Sequence, residues 1–215
     1  ASFIVYQVSI HEIKENATEN SKKLLNQTKD IIDQKNEELE TFVYELSLNP
    51  DIKQLMYRKS NTDKNIPYDN YKKRNSIKQY QHANTLFQNF YIYFNQIDTI
   101  VSPESVYVRT NDFFKNHTYA ALNYNDWKRE FNQSYLSRHY FPSSKVMINN
   151  KPESIITYVQ SIPFNSTKNQ QANIVVMIQE GAITTLLNRI SSQYDGSAIV
   201  FDEEGKIIVS DNIDI

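Results

Sequence analysis

The sequence contains no cysteine. That excludes a disulfide framework, a cysteine zinc cluster and a thiol nucleophile, and it suits an exported bacterial protein that avoids lone thiols. Glycine is scarce, at 3 residues in 215, and proline is modest, at 6. Neither a GxGxxG nor a GxxxxGKS/T loop exists, so phosphate cradles of those kinds are excluded. Collagen-like and flexible-linker architectures fall with the same counts. Charge of one sign is also missing. Lys and Arg total 23 against 25 Asp and Glu, a net charge of −2. No basic excess can release counterions from nucleic acid, so this chain by itself is not a nucleic-acid binder. Finally, no run of 18 apolar residues occurs, the minimum for a bilayer span.

What is present is an ordinary globular composition, 40% hydrophobic and 22% charged, with aromatics dominated by 15 Tyr and 11 Phe. The length allows one large domain or one and a half small ones. Tyrosine combines a flat apolar face with a polar tip, which suits half-buried packing and ligand pockets alike.

From Val5 to Met56 there is no glycine, and the only proline is Pro50. Leu25, Ile32, Leu39 and Leu46 recur at heptad spacing, with Thr28 and Phe42 between members of that set. Ile10, Ala17, Leu24 and Ile31 form a second row alongside. This predicts one amphipathic helix of about 65 Å with a narrow apolar stripe. A rod of that length fits a coiled-coil seam or a stalk leaving a membrane; two shorter helices broken near Asn20 or Asn36 are the alternative. The apolar opening, Ser2 to Val8, predicts a membrane helix just upstream. Asn49-Pro50 starts a new turn carrying Ile52 to Tyr57, because proline is tolerated in a helix's first turn. Tyr68 to Phe90 reads as an antiparallel return helix, with Ile77, Tyr80, Ala83, Phe87 and Phe90 on one side.

At Tyr91 the period shortens. Strands are predicted at Tyr91–Phe94, Thr99–Val101, Ser105–Val108, Lys145–Ile148, Ile155–Ile162 and Ile174–Ile178. Asn149-Asn150 is a turn signal. Asn125 is expected to cap a helix through Trp127, Phe131 and Leu136. Gly181–Gln193 reads as a helix. Ser197–Phe201, an acidic turn and Lys206–Ser210 form a hairpin, which is marginal in isolation.

No catalytic constellation emerges. The four histidines, His11, His82, His117 and His139, form no HExxH motif and no pair on one helix face. His11 and His82 read as surface residues of the long helices. There is no GxSxG elbow. The turn at Asp202, Glu203 and Glu204 lacks the alternating oxygen ligands of a calcium loop. No enzyme activity, metal or cofactor is predicted.

Two long helices, about five strands with a helical insertion after the second, and a connecting helix: this order resembles a Cache domain, a PAS-like extracellular sensor. The stretch NATENSKKLLNQTKDIIDQKNEELETFVYELSLNPDIKQLMY, residues 16–57, is similar to the opening of sensor regions in Gram-positive membrane-bound AraC-type transcriptional regulators. Sensor histidine kinases of the same bacteria begin similarly. IVS (100–102), YVQSIPF (158–164), IVVMIQEGAITTLL (174–187) and AIVFDEEGKIIVS (198–210) carry the likeness along the chain. The resemblance implies an α+β fold. Residues 1–90 would hold the stalk helix and its return, 91–180 a membrane-distal sensor module with a five-stranded antiparallel sheet, 181–195 a connecting helix, and 196–215 the first hairpin of a second module. It also implies a membrane-tethered, extracellular protein whose DNA contacts belong to a cytoplasmic part; the heptad stripe of the long helix allows a homodimer through it. A histidine kinase, a chemoreceptor or a ligand-free dimerisation module is the alternative.

In such sensors the segment between the second and third strands folds over the sheet and walls the pocket. That assigns ligand binding to Tyr107, Arg109, Tyr119, Tyr124, Trp127 and His139, with Tyr158 and Gln160 reaching up from a central strand. Aromatic rings there stack on a sugar face, and Arg clamps a carboxylate. Trp127 and Phe131 could equally pin this helix to the sheet as core. Amino-acid sensors of the family carry a Tyr, Arg, Trp, Tyr run. Between Tyr119 and Trp127 this chain has Tyr124 and no Arg, so the resemblance favours a saccharide over an amino acid.

Overall fold

No helix breaker lies between Ser2 and Leu48, and those 47 residues form one helix, α1 (Ser2–Leu48). The computed structural model describes residues 2–58, 66–81, 87–132, 134–164, 166, 170–194, 197–202 and 205–210; for 2–18, 66–70, 88 and 193–194 it describes the backbone alone. His82 lies outside these residues and the His11 side chain is among those not described. At about 1.5 Å per residue α1 reaches some 70 Å. No helix among the described residues is long and apolar enough to cross a membrane.

Asn49 ends α1 and starts α2 (Pro50–Met56): its Oδ1 accepts from the N–H groups of Asp51 at 2.9 Å and Ile52 at 3.4 Å. Pro50 sits at the first helical position, where its missing N–H costs nothing. The Asn49 amide also donates to Ser76 O at 3.3 Å, tying in α3 (Ile66–Lys78). The return helix therefore stops twelve residues short of the expected Phe90. Phe90 is instead in β1 (Phe87–Phe94). A spacing of three suits a helix, but in the run Phe90-Tyr91-Ile92-Tyr93-Phe94 alternation and β-propensity prevail.

The remaining strands are β2 (Thr99–Val101), β3 (Val106–Tyr107), β4 (His117–Tyr119), β5 (His139–Ile148), β6 (Lys151–Ile162) and β7 (Ala172–Gln179). With β1 they form a seven-stranded sheet in the order β3-β2-β1-β7-β6-β5-β4, and every pairing is antiparallel. Six strand segments were expected, Ser105–Val108 at β3 among them, against a five-stranded sheet implied by the resemblance; the short edge strand β4 was not expected and brings the sheet to seven. The β5–β6 turn is Asn149-Asn150, with φ of 50° and 64°. Asparagine tolerates this left-handed pair, which matches the twist of a two-residue hairpin. Between β3 and β5 lie α4 (Thr110–Asn116) and α5 (Tyr124–Glu130). α6 (Glu180–Tyr194) leads to the hairpin of β8 (Ile199–Phe201) and β9 (Ile207–Ser210). Its turn needs Gly205, at φ 80°.

Strands β1, β6 and β7 are buried on both sides, so alternate residues feed two separate cores. Phe90, Ile92, Phe94, Ile156, Tyr158, Ile174 and Val176 meet α1, α2 and α6 on one face. Tyr91, Tyr93, Ile155, Val159, Val175 and Met177 meet α4 and α5 on the other. The stripe of α1 is largely consumed by the first core. Leu39, Phe42, Val43 and Leu46 are buried and Ile32 packs against them, whereas Leu25 remains 50% exposed. α1 outruns the sheet toward its N-terminus, and the stripe loses its cover there.

Leu46→Ala is expected to cost about 2–5 kcal/mol by chemical denaturation, since it empties an enclosed site. Leu25→Ala should stay within about 0.5 kcal/mol. A large loss at Leu25, dependent on protein concentration, would mean that this part of the stripe is a seam between copies.

Candidate functional site

The insertion forms a cover over one face of the sheet. Asn123 caps α5, accepting from Asp126 N at 3.0 Å. The cap falls two residues before the expected Asn125, and α5 ends before Leu136. Trp127 and Phe131, four apart, then point down at the sheet together. Trp127 is wholly enclosed. Its ring lies 4.9 Å from Phe131 and 5.4 Å from Tyr93 between centroids. From α4, Phe113 contributes the next ring, 4.6 Å from Tyr91 and 5.3 Å from Tyr107. His117 stacks flat on Phe113 at 4.0 Å and its Nδ1 lies 3.3 Å from Phe113 O.

Polar atoms are few under this cover, and two make no well-formed hydrogen bond among the described residues: the Tyr91 hydroxyl and the Trp127 indole N–H, which lie near each other. Both belong to side chains no more than 1% exposed. A buried donor without an acceptor costs roughly 1–3 kcal/mol, so such atoms call for a reason. The Tyr119 hydroxyl is beside them, 3.5 Å from Thr157 Oγ1. Burial holds the phenols of Tyr91 and Tyr119 above their ordinary value, so both stay neutral. The Tyr93 hydroxyl accepts from Asn132 Nδ2 at 3.1 Å.

At the rim Asp98, in left-handed backbone conformation (φ 48°), collects two donors. Lys128 Nζ reaches it at 2.6 Å and Thr110 Oγ1 at 2.9 Å. Thr110 has one proton and gives it to Asp98, so the Tyr124 hydroxyl, 2.6 Å away, donates to Thr110. A shallow, open depression of about 280 Å³ lies on the solvent side of α5, lined by Asn125, Lys128, Arg129 and Asn132.

Five of the eight residues singled out from the sequence gather on this face. Tyr119 and Trp127 lie within it, Tyr107 packs against Phe113, Tyr124 stands at the rim, and His139 packs edge-on against Phe141 at 4.7 Å. Three do not gather here. Arg109 is exposed and its Nε meets Asp112 at 3.2 Å, outside the cover. Tyr158 and Gln160 belong to the opposite face, since the pleat sends Ile155, Thr157 and Val159 toward the cover and the intervening residues toward α1. Tyr158 packs there against Tyr140, 5.0 Å between centroids. The residue that sequence reasoning missed is Tyr91. It was visible only as a strand tyrosine, although a hydroxyl in so apolar a run demands a partner.

Tyr91→Phe removes an unpaired hydroxyl and is expected to leave the melting temperature unchanged or raised; a loss above about 1 kcal/mol would mean that the hydroxyl is bonded. Burial lowers the His117 pKa below 6.5, against smaller opposite effects of Phe113 O and Glu104. The folded state therefore disfavours the charged ring. The stability is complete above about pH 6.5 and is lost as pH falls through the lowered value. The advantage of wild type over His117→Phe, followed by urea titration, should shrink from pH 7 to pH 5.

No family model matches the sequence, and no curated protein matches it. Solved structures do. The ligand-binding domain of the Campylobacter jejuni chemoreceptor Tlp3 in complex with L-norvaline is 18% identical, with a TM-score of 0.53 over 92% of this chain and 70% of that one. The same domain in complex with L-valine is 16% identical, with a TM-score of 0.53 over 92% and 72%. The Tlp3 sensory domain with isoleucine bound is 16% identical, with a TM-score of 0.51 over 92% and 72%. At such identities the likeness speaks to the fold alone, and the expected α+β architecture, with its long N-terminal helix and antiparallel sheet, is the one observed.

Proposed function

We propose that this chain is an extracellular ligand-sensing domain of a bacterial membrane signalling protein of the chemoreceptor kind, holding a small molecule between the sheet and the cover. The observation that carries the reading is the enclosed pair of Tyr91 hydroxyl and Trp127 N–H, neither with a well-formed hydrogen bond, beneath a cover made of two short helices. A ligand that slips under the cover supplies an acceptor to the Trp127 N–H and a partner to the Tyr91 hydroxyl. It also gains the apolar faces of Phe113 and Phe131.

The ligand class proposed first is a small aliphatic amino acid. The Tlp3 domain, of similar fold, is described in complex with such molecules. Here the rim pair Lys128 and Asp98 would open to meet a carboxylate and an ammonium, leaving the side chain to the aromatic face. A saccharide is the second reading, favoured by the neutral hydroxyls and amides of Tyr91, Tyr93, Tyr119 and Asn132. An AraC-type output rests on the resemblance of residues 16–57 alone. The hairpin of β8 and β9 leaves Ile199, Phe201 and Ile207 exposed, which agrees with its reading as the opening of a second module.

Thermal shift with isoleucine, valine, glucose and xylose tests this. Saturation at about 100 times Kd stabilises by about 2.7 kcal/mol, a rise of about 5–11 °C for a chain of this size. Isoleucine or valine is expected to produce it, and Asp98→Asn to abolish it. A rise with a sugar, unaffected by Asp98→Asn, selects the second reading. No rise with any of the four counts against both ligand classes.

A further inference from the structure

A short stretch of chain runs from one face of the sheet to the other. The described residues of 131–141, all but 133, leave α5 on the cover side and enter β5, and their attachments are polar and largely buried. Phe131 O accepts from Asn173 Nδ2 at 2.8 Å and Gln170 Nε2 at 2.7 Å. Leu136 N donates to Ser161 Oγ at 2.9 Å, and Leu136 O accepts from Ser161 N at 2.7 Å. Gln160 is 1% exposed; its Oε1 accepts from Arg138 N at 3.0 Å and its Nε2 reaches the Tyr135 hydroxyl at 3.3 Å. A buried amide is costly unless its hydrogen bonds are made. Gln160 makes two of its three with this stretch and Asn173 one of its three, so the stretch has little slack.

Just beyond, the same stretch grips α1. Arg138 is held at φ 48°, a conformation that non-glycine residues seldom adopt. Its guanidinium lies 2.9 Å from Glu40 Oε2. Two residues on, the Tyr140 hydroxyl donates to Asn36 Oδ1, and Asn36 Nδ2 donates to Glu40 Oε1 at 3.1 Å. Burial, with neighbouring Tyr158 and Glu40 adding to it, keeps the Tyr140 phenol neutral and a donor.

We propose that residues 131–141 are the mechanical link between cover and long helix: a displacement of α5 is passed through the Gln160 and Arg138 attachments to α1 at Asn36–Glu40. Its use in signalling rests on the sensing function proposed above; the coupling itself does not. Coupling is reciprocal, so a disturbance applied at α1 must be felt in α5.

Hydrogen exchange of the intact chain, read by mass spectrometry, tests the link without a ligand. Local opening sets the exchange rate of each segment. Three variants are compared with wild type: Glu40→Gln, Arg138→Ala and Gln160→Leu. The expected result is exchange at least threefold faster in peptides covering α5 (124–131) as well as α1 (36–43), with α6 (180–190) unchanged. Acceleration confined to the peptide carrying the substitution overturns the proposal. So does acceleration spread evenly over the chain, α6 included. Arg138 is 68% exposed at its side chain and Glu40 27%, so those two variants decide the matter if Gln160→Leu fails to fold. Coupling without any ligand shift strikes the sensing function alone; a ligand shift without coupling strikes the link alone.

Discussion

Strands β1, β6 and β7 are covered on both sides, and the pleat commits each of their residues to one side or the other. Everything else is arranged around that division. Apolar residues at the even positions of β6 need a long apolar partner, and the stripe of α1 between Ile32 and Leu46 supplies it. Those at the odd positions need a second partner, and the chain provides it by interrupting the sheet after β3 with α4 and α5. A one-residue slip of β6 would exchange the two sets and bury Gln160 beneath Trp127.

The two cores differ in kind. The α1 side contains mostly aliphatic residues and phenylalanine, and its polar groups are bonded: Gln160 to Tyr135 and Arg138, and Asn36, Glu40, Tyr140 and Arg138 to one another. The cover side is built of rings from short elements, with hydroxyls and an indole N–H enclosed among them. Seven-residue helices contribute little stability of their own. Their position depends on aromatic contacts and on the polar attachments of residues 131–138. A face so assembled has less to hold it closed than one covered by a 47-residue helix, an asymmetry that suits the ligand-sensing role proposed above.

Much of the architecture was legible from local signals, because each rests on nearest-neighbour physics. The lack of glycine and proline through α1, the Asn49-Pro50 start of α2, the Asn149-Asn150 turn and the Gly205 turn all appear as read. The end of the return helix was not legible. Phe87 and Phe90 satisfy a helical spacing as well as a strand one, and only pairing with β7 resolves the choice. The site was half legible. Residues of the insertion gather because the insertion as a whole lands on one face, which is why Tyr107, Tyr119, Tyr124 and Trp127 stand together.

The sequence by itself determined most of the elements, their order and the amphipathic stripe, since propensity, capping and periodicity act over a few residues. It also determined that chemistry by cysteine, by glycine-rich loops or by a histidine-metal motif has no basis here. The tertiary structure alone decided the parity of the central strands. Alternation states that Tyr158 and Val159 point apart, but not which of them lies under the cover. That depends on where α1 and α5 dock, and so on contacts between residues about 100 positions apart, such as Tyr140 with Asn36. The same docking withdrew Tyr158, Gln160 and Arg109 from the site and brought in Tyr91, whose hydroxyl is enclosed beside Tyr119 and Trp127 without a well-formed hydrogen bond.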